Sequence, residues 1–269
     1  MTDDVVLVEV AERVATVTLH RPEARNALNR EVRRRLPQVM ESLDHDDDVD
    51  VVILTGTDPA FCAGVDLKEF GGGHTSAAGE GFADMGERRD GRLPWRGALP
   101  PMEKLVIGAI NGVAITGGFE LALACDFLVA SERARFADTH ARVGVMPGWG
   151  LTVLLPQRIG VARAKEMSVT GNFVDATTAL DWGLVNHVVA HDELLPFCRS
   201  LGADCAGIDQ RAVRRMLRTY DEVTATTVDE GWTVEDRVSR EWEGAGFDPA
   251  AIEARRREVV ERGRRQIGS

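Results

Sequence analysis

The chain has 269 residues, 44% hydrophobic and 28% charged, which suits one large domain with a proper core, or one domain with a small C-terminal appendage. Its 32 basic and 43 acidic residues leave a formal net charge of -11, which argues against sequence-independent nucleic-acid binding. No apolar run reaches the length of a membrane span, the N-terminus resembles no secretory leader, and the four cysteines form no CxxC pair, so a cytoplasmic protein with reduced thiols is expected.

Residues 5–10 and 13–19 are β-rich runs separated by Ala11-Glu12, which predicts a hairpin ended by Arg21-Pro22. Asn29 is placed to cap a helix with Val32, Leu36, Val39, Met40 and Leu43 on one face, and Pro37 inside that pattern predicts a kink or a broken start. An acidic turn from Asp44 to Asp50 precedes a buried strand at 51–55, and Gly56 opens a loop. Residues 71–92 have no clean period and predict a mobile surface segment near the active site. A strand at 105–110 is turned by Asn111-Gly112 and extended by 113–115. Gly117-Gly118 then open a helix through Ala124, followed by a strand at 126–130. Strand, turn, helix, strand has by then occurred twice, which predicts an α/β core with crossovers. After Gly160 the pattern is helical at 162–170, 176–182 and from 192 to about 206, with a strand-like run at 185–190. The tail from Asp248 carries six arginines between Arg255 and Arg265, read either as a solvated helix face with i,i+4 pairs or as a phosphate-binding surface.

Two stretches carry chemistry. The runs from Phe61 to Lys68 and from Asn111 to Asp126 each place small residues where a chain turns sharply and leaves backbone N–H groups unpaired. The second also throws a lone carboxylate, Glu120, into an apolar run. Free N–H groups and one poised acid are the parts needed to hold and protonate an enolate. Glu120 also has a plainer reading, as an acid complementing a helix dipole, but that does not account for the neighbouring loop.

These residues resemble the crotonase superfamily, also called the enoyl-CoA hydratase/isomerase family, from about residue 5 to 195. Arg21-Pro22 with Asn26-Ala27-Leu28 is similar to its N-terminal signature, and Phe61-Cys62-Ala63-Gly64-Val65-Asp66-Leu67 to its first oxyanion loop. Asn111-Gly112, Gly117-Gly118-Phe119-Glu120 and Cys125-Asp126 are similar to its second, and Gly144, Pro147-Gly148, Thr170-Gly171 and Gly183-Leu184-Val185 continue in order. The resemblance implies an α/β fold of the crotonase type, a spiral of repeated ββα units over residues 1–206, with a helical region over 207–269 acting as lid or in oligomerisation. It implies homotrimers or hexamers, an acyl-CoA thioester as substrate, no further cofactor and no metal. The implied reaction is hydration of a 2-trans-enoyl-CoA to a 3-hydroxyacyl-CoA. Another acyl-CoA reaction (isomerisation, hydrolysis or decarboxylation) or non-catalytic acyl-CoA binding are the alternatives.

By the same resemblance the oxyanion donors are the N–H groups of Val65 and Gly117, and Glu120 is the principal acid/base. Main-chain contacts to coenzyme A are implied near Ala24, Ala63, Asp66 and Leu67, with Arg25 and Lys68 either meeting its phosphates or serving as ordinary surface charge. His140 is the main departure: the resembled hydratases have a second glutamate at this place, four residues before Gly144. A Glu and a His can divide water activation and proton delivery, but the exchange changes charge, reach and pH response. Cys62 with His140 as a thiol nucleophile pair and His187 with His191 as a zinc pair are weaker readings. Trp149 is read either as lining an acyl pocket or as packing.

Overall fold

The computed structural model describes residues 4–66, 97–244 and 249–267, so the expectations for Leu67, Lys68 and residues 71–92 lie outside the described residues. The chain divides into two compact units, Met1–Arg214 and Arg215–Ser269.

The first unit opens with an antiparallel hairpin of β1 (Val6–Ala11) and β2 (Val14–Leu19), in which Ala11 faces Val14. Its loop is therefore Glu12-Arg13, one residue later than the sequence predicts. Both loop residues have positive φ, 50° and 64°, the twist of a tight two-residue turn. That shift frees Arg13 from the strand, and its Nε reaches Asp50 Oδ2 at 2.5 Å. Helix α1 (Arg30–Asp44) starts where expected: the Asn29 side chain accepts from Val32 N at 2.9 Å, and Val32, Leu36, Val39, Met40 and Leu43 are buried. It runs unbroken through Pro37, which lies buried within it.

Among the described residues, one sheet has the order β1-β2-β3-β5-β7-β10, with β3 (Val51–Gly56), β5 (Leu105–Ile110), β7 (Phe127–Ser131) and β10 (His187–Val189). Every pair after the hairpin is parallel. Strands β3 and β5 are buried at every residue, as their unbroken apolar runs require of a sheet covered on both faces. The second sheet, β4-β6-β8-β9, is built from very short strands: β4 (Ala60–Cys62), β6 (Val113–Ile115), β8 (Arg135–Ala137) and β9 (Val174–Asp175).

So β6 does not extend β5 but leaves it for the other sheet. The reason lies at the Asn111-Gly112 turn: a Cβ on Gly112 would stand 2.4 Å from Pro59 O, and Asn111 Nδ2 donates to Asp58 Oδ1 at 2.9 Å. The chain crosses directly against the 58–60 segment. The repeat of long strand, short strand and helix is seen in β5-β6-α2 (Gly117–Leu123) and again in β7-β8-α3 (His140–Val143). This is the expected ββα spiral. Helices α4 (Leu151–Ile159), α5 (Val161–Thr170), α6 (Ala176–Asp181) and α7 (Leu194–Ala206) follow, and α7 packs on the larger sheet.

Helix α8 (Gln210–Thr224) runs across the division between the units. In the second unit, α9 (Val228–Gly244) is joined to the end of α8 by an ion network: Glu222 pairs with Arg215 at 3.1 Å and with Arg237 at 2.6 Å. Helix α10 (Pro249–Ile267) shows an i,i+3 pair, Arg256 with Glu253 at 2.9 Å, in keeping with a solvated face.

Candidate active site

The first wall of the site is a zipper between residues 21–28 and 63–66. Ala63 N donates to Arg25 O at 3.0 Å, Leu28 N to Gly64 O at 2.8 Å and Asp66 N to Leu28 O at 3.3 Å. Arg21 closes it with an ion pair to Asp66 at 3.1 Å. Arg25 and Asn26 have left-handed φ of 50° and 56°, and buried Asn26 holds that turn by donating to Thr57 O and Ala60 O. Ala24, Arg25, Ala63, Val65 and Asp66 are thereby brought together, with the Arg25 side chain exposed and the Asp66 carboxylate engaged by Arg21.

Alternation along an extended segment sets where Val65 points. Gly64 O and Asp66 N both face Leu28, so the Val65 N–H faces the other way. What lies there is Gly117. A Cβ on Gly64 (φ 92°) would stand 3.5 Å from Gly117 N, and one on Gly117 would stand 3.5 Å from Val65 Cγ2. Among the described residues neither the Val65 nor the Gly117 N–H has a protein acceptor. These are the two N–H groups expected from the sequence to be oxyanion donors, and they lie side by side. The approach depends on Gly118, where a Cβ would stand 2.2 Å from Cys62 O. The residue before the donor is also unusual: Thr116 has φ 54° and ψ -114°, a conformation a β-branched residue adopts at a cost on the order of 1–3 kcal/mol.

Glu120 lies in the first turn of α2, 1% exposed. Its Oε1 accepts from Trp149 N at 2.7 Å and Leu151 N at 3.3 Å, and its Oε2 stands 3.5 Å from His140 Nε2. His140, 6% exposed, opens α3. Its other ring nitrogen, Nδ1, lies 2.6 Å from Asp138 Oδ1, which also accepts from His140 N at 3.1 Å. Ser168 hydrogen-bonds the same carboxylate. Burial alone would push the imidazole down; hydrogen bonds to Asp138 and Glu120, and the charges behind them, outweigh it and bring its pKa up to about 9. For Asp138, burial is likewise outweighed, by the bonds from His140 and Ser168, and its carboxyl is held below the usual range. At neutral pH His140 is thus an imidazolium with one N–H anchored on Asp138 and the other directed to Glu120.

Glu120, His140 and the N–H groups of Val65 and Gly117, each read from the sequence as a site residue, therefore converge. The sequence offers Asp138 only as a weak substitute for His140, and the structure makes it the anchor of that histidine instead; the signal is local, an acid two residues before a histidine, which is the spacing of an Asx turn. Trp149 belongs to the site: its Cζ3 lies 2.8 Å from where a Cβ on Gly117 would be, while its own N–H holds Glu120. The thiol pair fails on chemistry, since burial pushes Cys62 up to about 12 and keeps it protonated. The histidine pair fails on geometry: His191 binds Asp58 and Ser131, while His187 packs edge-on against Phe197.

Comparison with known proteins follows the same line. Residues 9–242 match the family model described as enoyl-CoA hydratase/isomerase. The chain is 40% identical over 209 residues to probable enoyl-CoA hydratase 1, peroxisomal, of Arabidopsis thaliana, covering 78% of this chain and 75% of that one. It is 33% identical over 233 residues to the crotonyl-CoA hydratase of Syntrophomonas wolfei, covering 86% of each. Among solved structures it is similar to an enoyl-CoA hydratase from Mycobacterium tuberculosis H37Rv, with a TM-score of 0.73 and 47% identity, covering 88% of this chain and 98% of that one.

Proposed function

The chain belongs to the enoyl-CoA hydratase/isomerase family and is an enoyl-CoA hydratase-like hydro-lyase, and on that premise we propose that Glu120 and His140 divide the two proton transfers of hydration. The Glu120 carboxylate takes a proton from water as its oxygen attacks C3 of the 2-enoyl thioester. Electron density moves to the thioester oxygen, where the Val65 and Gly117 N–H groups meet the enolate; such donors contribute roughly 3 kcal/mol each in a dry site. The His140 imidazolium gives the Nε2 proton to C2. Its Nδ1–H stays on Asp138 throughout. Glu120 then returns the proton it took to Nε2, and the 3.5 Å separation supports that direct return. Water is consumed and no cofactor is required.

The observation that carries this reading is the approach of the buried Glu120 Oε2 and His140 Nε2 to 3.5 Å, beside two N–H groups that have no protein acceptor among the described residues. The test is hydration of crotonyl-CoA, followed by loss of the conjugated thioester absorbance. Glu120→Gln is expected to remove most turnover while leaving folding and thioester binding intact. Turnover at the wild-type rate in that variant would sink the assignment.

The remaining parts of the proposal are coarser. Main chain near Ala24, Ala63, Asp66 and Leu67 would hold coenzyme A, with Arg25 and Lys68 at its phosphates. Convergence of Ala24, Arg25, Ala63 and Asp66 beside Val65 supports this. A cytoplasmic location is supported by the four cysteines, all of which are thiols rather than disulfides.

A further inference from the structure

Thr116 immediately precedes the oxyanion donor Gly117, and Thr139 immediately precedes the proton carrier His140. The two threonines touch. Their hydroxyls are hydrogen-bonded at 2.5 Å, and Thr139 N donates to Thr116 Oγ1 at 3.3 Å. Thr116 N also donates to Ala137 O at 3.0 Å, so the residue is held at both its backbone and its side chain by the segment that leads into His140.

This matters because Thr116 sets the direction of the Gly117 N–H. The Thr116 carbonyl and the Gly117 N–H belong to one peptide plane and point opposite ways. The carbonyl accepts from Phe119 N at 3.0 Å and Glu120 N at 2.9 Å, so it points along α2 and the N–H points back toward Val65. That arrangement requires the uncommon φ and ψ of Thr116, a left-handed position normally given to glycine. A strained residue keeps such a conformation only when its surroundings over-determine it. Without the hydroxyl bond, Thr116 is released on one side, and the Gly117 N–H can swing away from the developing oxyanion.

We infer that Thr116 and Thr139 are a positioning pair, whose hydroxyl bond fixes the oxyanion N–H of Gly117 relative to His140. This rests on the hydratase reading, and the test separates the two. Crotonyl-CoA hydration is measured for wild type, Thr116→Val, Thr139→Val, the double variant and Thr116→Ser, with thermal melting to confirm folding. In parallel, the fraction of bound acetoacetyl-CoA held as its enolate is read from its ultraviolet absorbance, a direct probe of the hole that requires no turnover.

The expected result is a fall in kcat on the order of 10- to 100-fold in Thr116→Val with KM little changed, part of the loss that follows removal of a whole oxyanion donor. Thr139→Val is expected to match it, the double variant to be no worse than either, and Thr116→Ser to recover most of the rate. The bound enolate fraction should fall in the valine variants. Wild-type kcat in both valine variants, losses that multiply in the double variant, or a serine variant as slow as valine would each overturn the pair. If the wild-type enzyme does not hydrate crotonyl-CoA, the hydratase reading fails on its own. The enolate fraction then decides: a fall in Thr116→Val supports the pair and an unchanged fraction overturns it.

Discussion

A histidine held between two buried carboxylates is a different acid from a carboxyl group in the same place. Because the His140 pKa is raised from 6.5 to about 9, its imidazolium is populated below that value and lost as pH rises through it. Hydration should therefore fall on the alkaline side with an apparent pKa near 9. His140→Gln should remove that limb and lower kcat by roughly 100-fold, the low end of what a positioned acid contributes. Asp138→Asn should move the limb toward the ordinary histidine range, because the hydrogen bond to Asp138 is the largest single effect that raises it. The same shift makes stability depend on pH: the His140 contribution is complete below 6.5 and is lost as pH rises through about 9. Rate profiles and melting curves across that window check both, and a flat rate through the window, or a limb unmoved in Asp138→Asn, would count against the role. Glu120 was legible as a lone acid in the apolar run after Gly117-Gly118, and His140 only through the family resemblance, in register with Gly144. Asp138 and Thr139 were legible only as weak substitutes for His140, and Thr116 not at all, because the bond between the two threonines joins segments that spacing cannot connect.

At the scale of elements, the long strands and α1 were readable because their apolar periods are long enough to be unambiguous. Strands β4 and β8 are three residues each, too short for alternation to show. Helix α4 was missed because Pro156 lies inside it and its apolar residues do not keep to one side. Two substitutions test how elements position the site. Asn29→Ala removes the side-chain acceptor for Val32 N and should cost about 1 kcal/mol of stability in denaturant unfolding, with kcat unchanged. Gly118→Ala should do the opposite in kind. Its methyl would meet the backbone of Cys62, a contact no side-chain rotation relieves, so α2 must shift against β4. A tenfold or larger loss of kcat is expected, by the rule that small misplacements of a reacting geometry are costly. An alanine variant with full activity would show that the helix start tolerates displacement.

Across the whole molecule, several large apolar side chains of the first unit lie open: Met146 at 79%, Val153 at 60%, Val169 at 75% and Phe173 at 55% exposed. They leave apolar surface available to the expected assembly into trimers or hexamers. Light scattering after size-exclusion chromatography should give three or six times the 29.3 kDa chain mass. A monodisperse monomer would remove that part of the proposal. The zipper that aims Val65 and the turn that aims Gly117 present only peptide groups to the reacting oxygen. Peptide groups are common to every residue, so in the proposed mechanism this half of the machinery does not depend on which side chains carry it. In that mechanism, position 140 can therefore hold one proton carrier or another while the main-chain seat of the enolate stays in place.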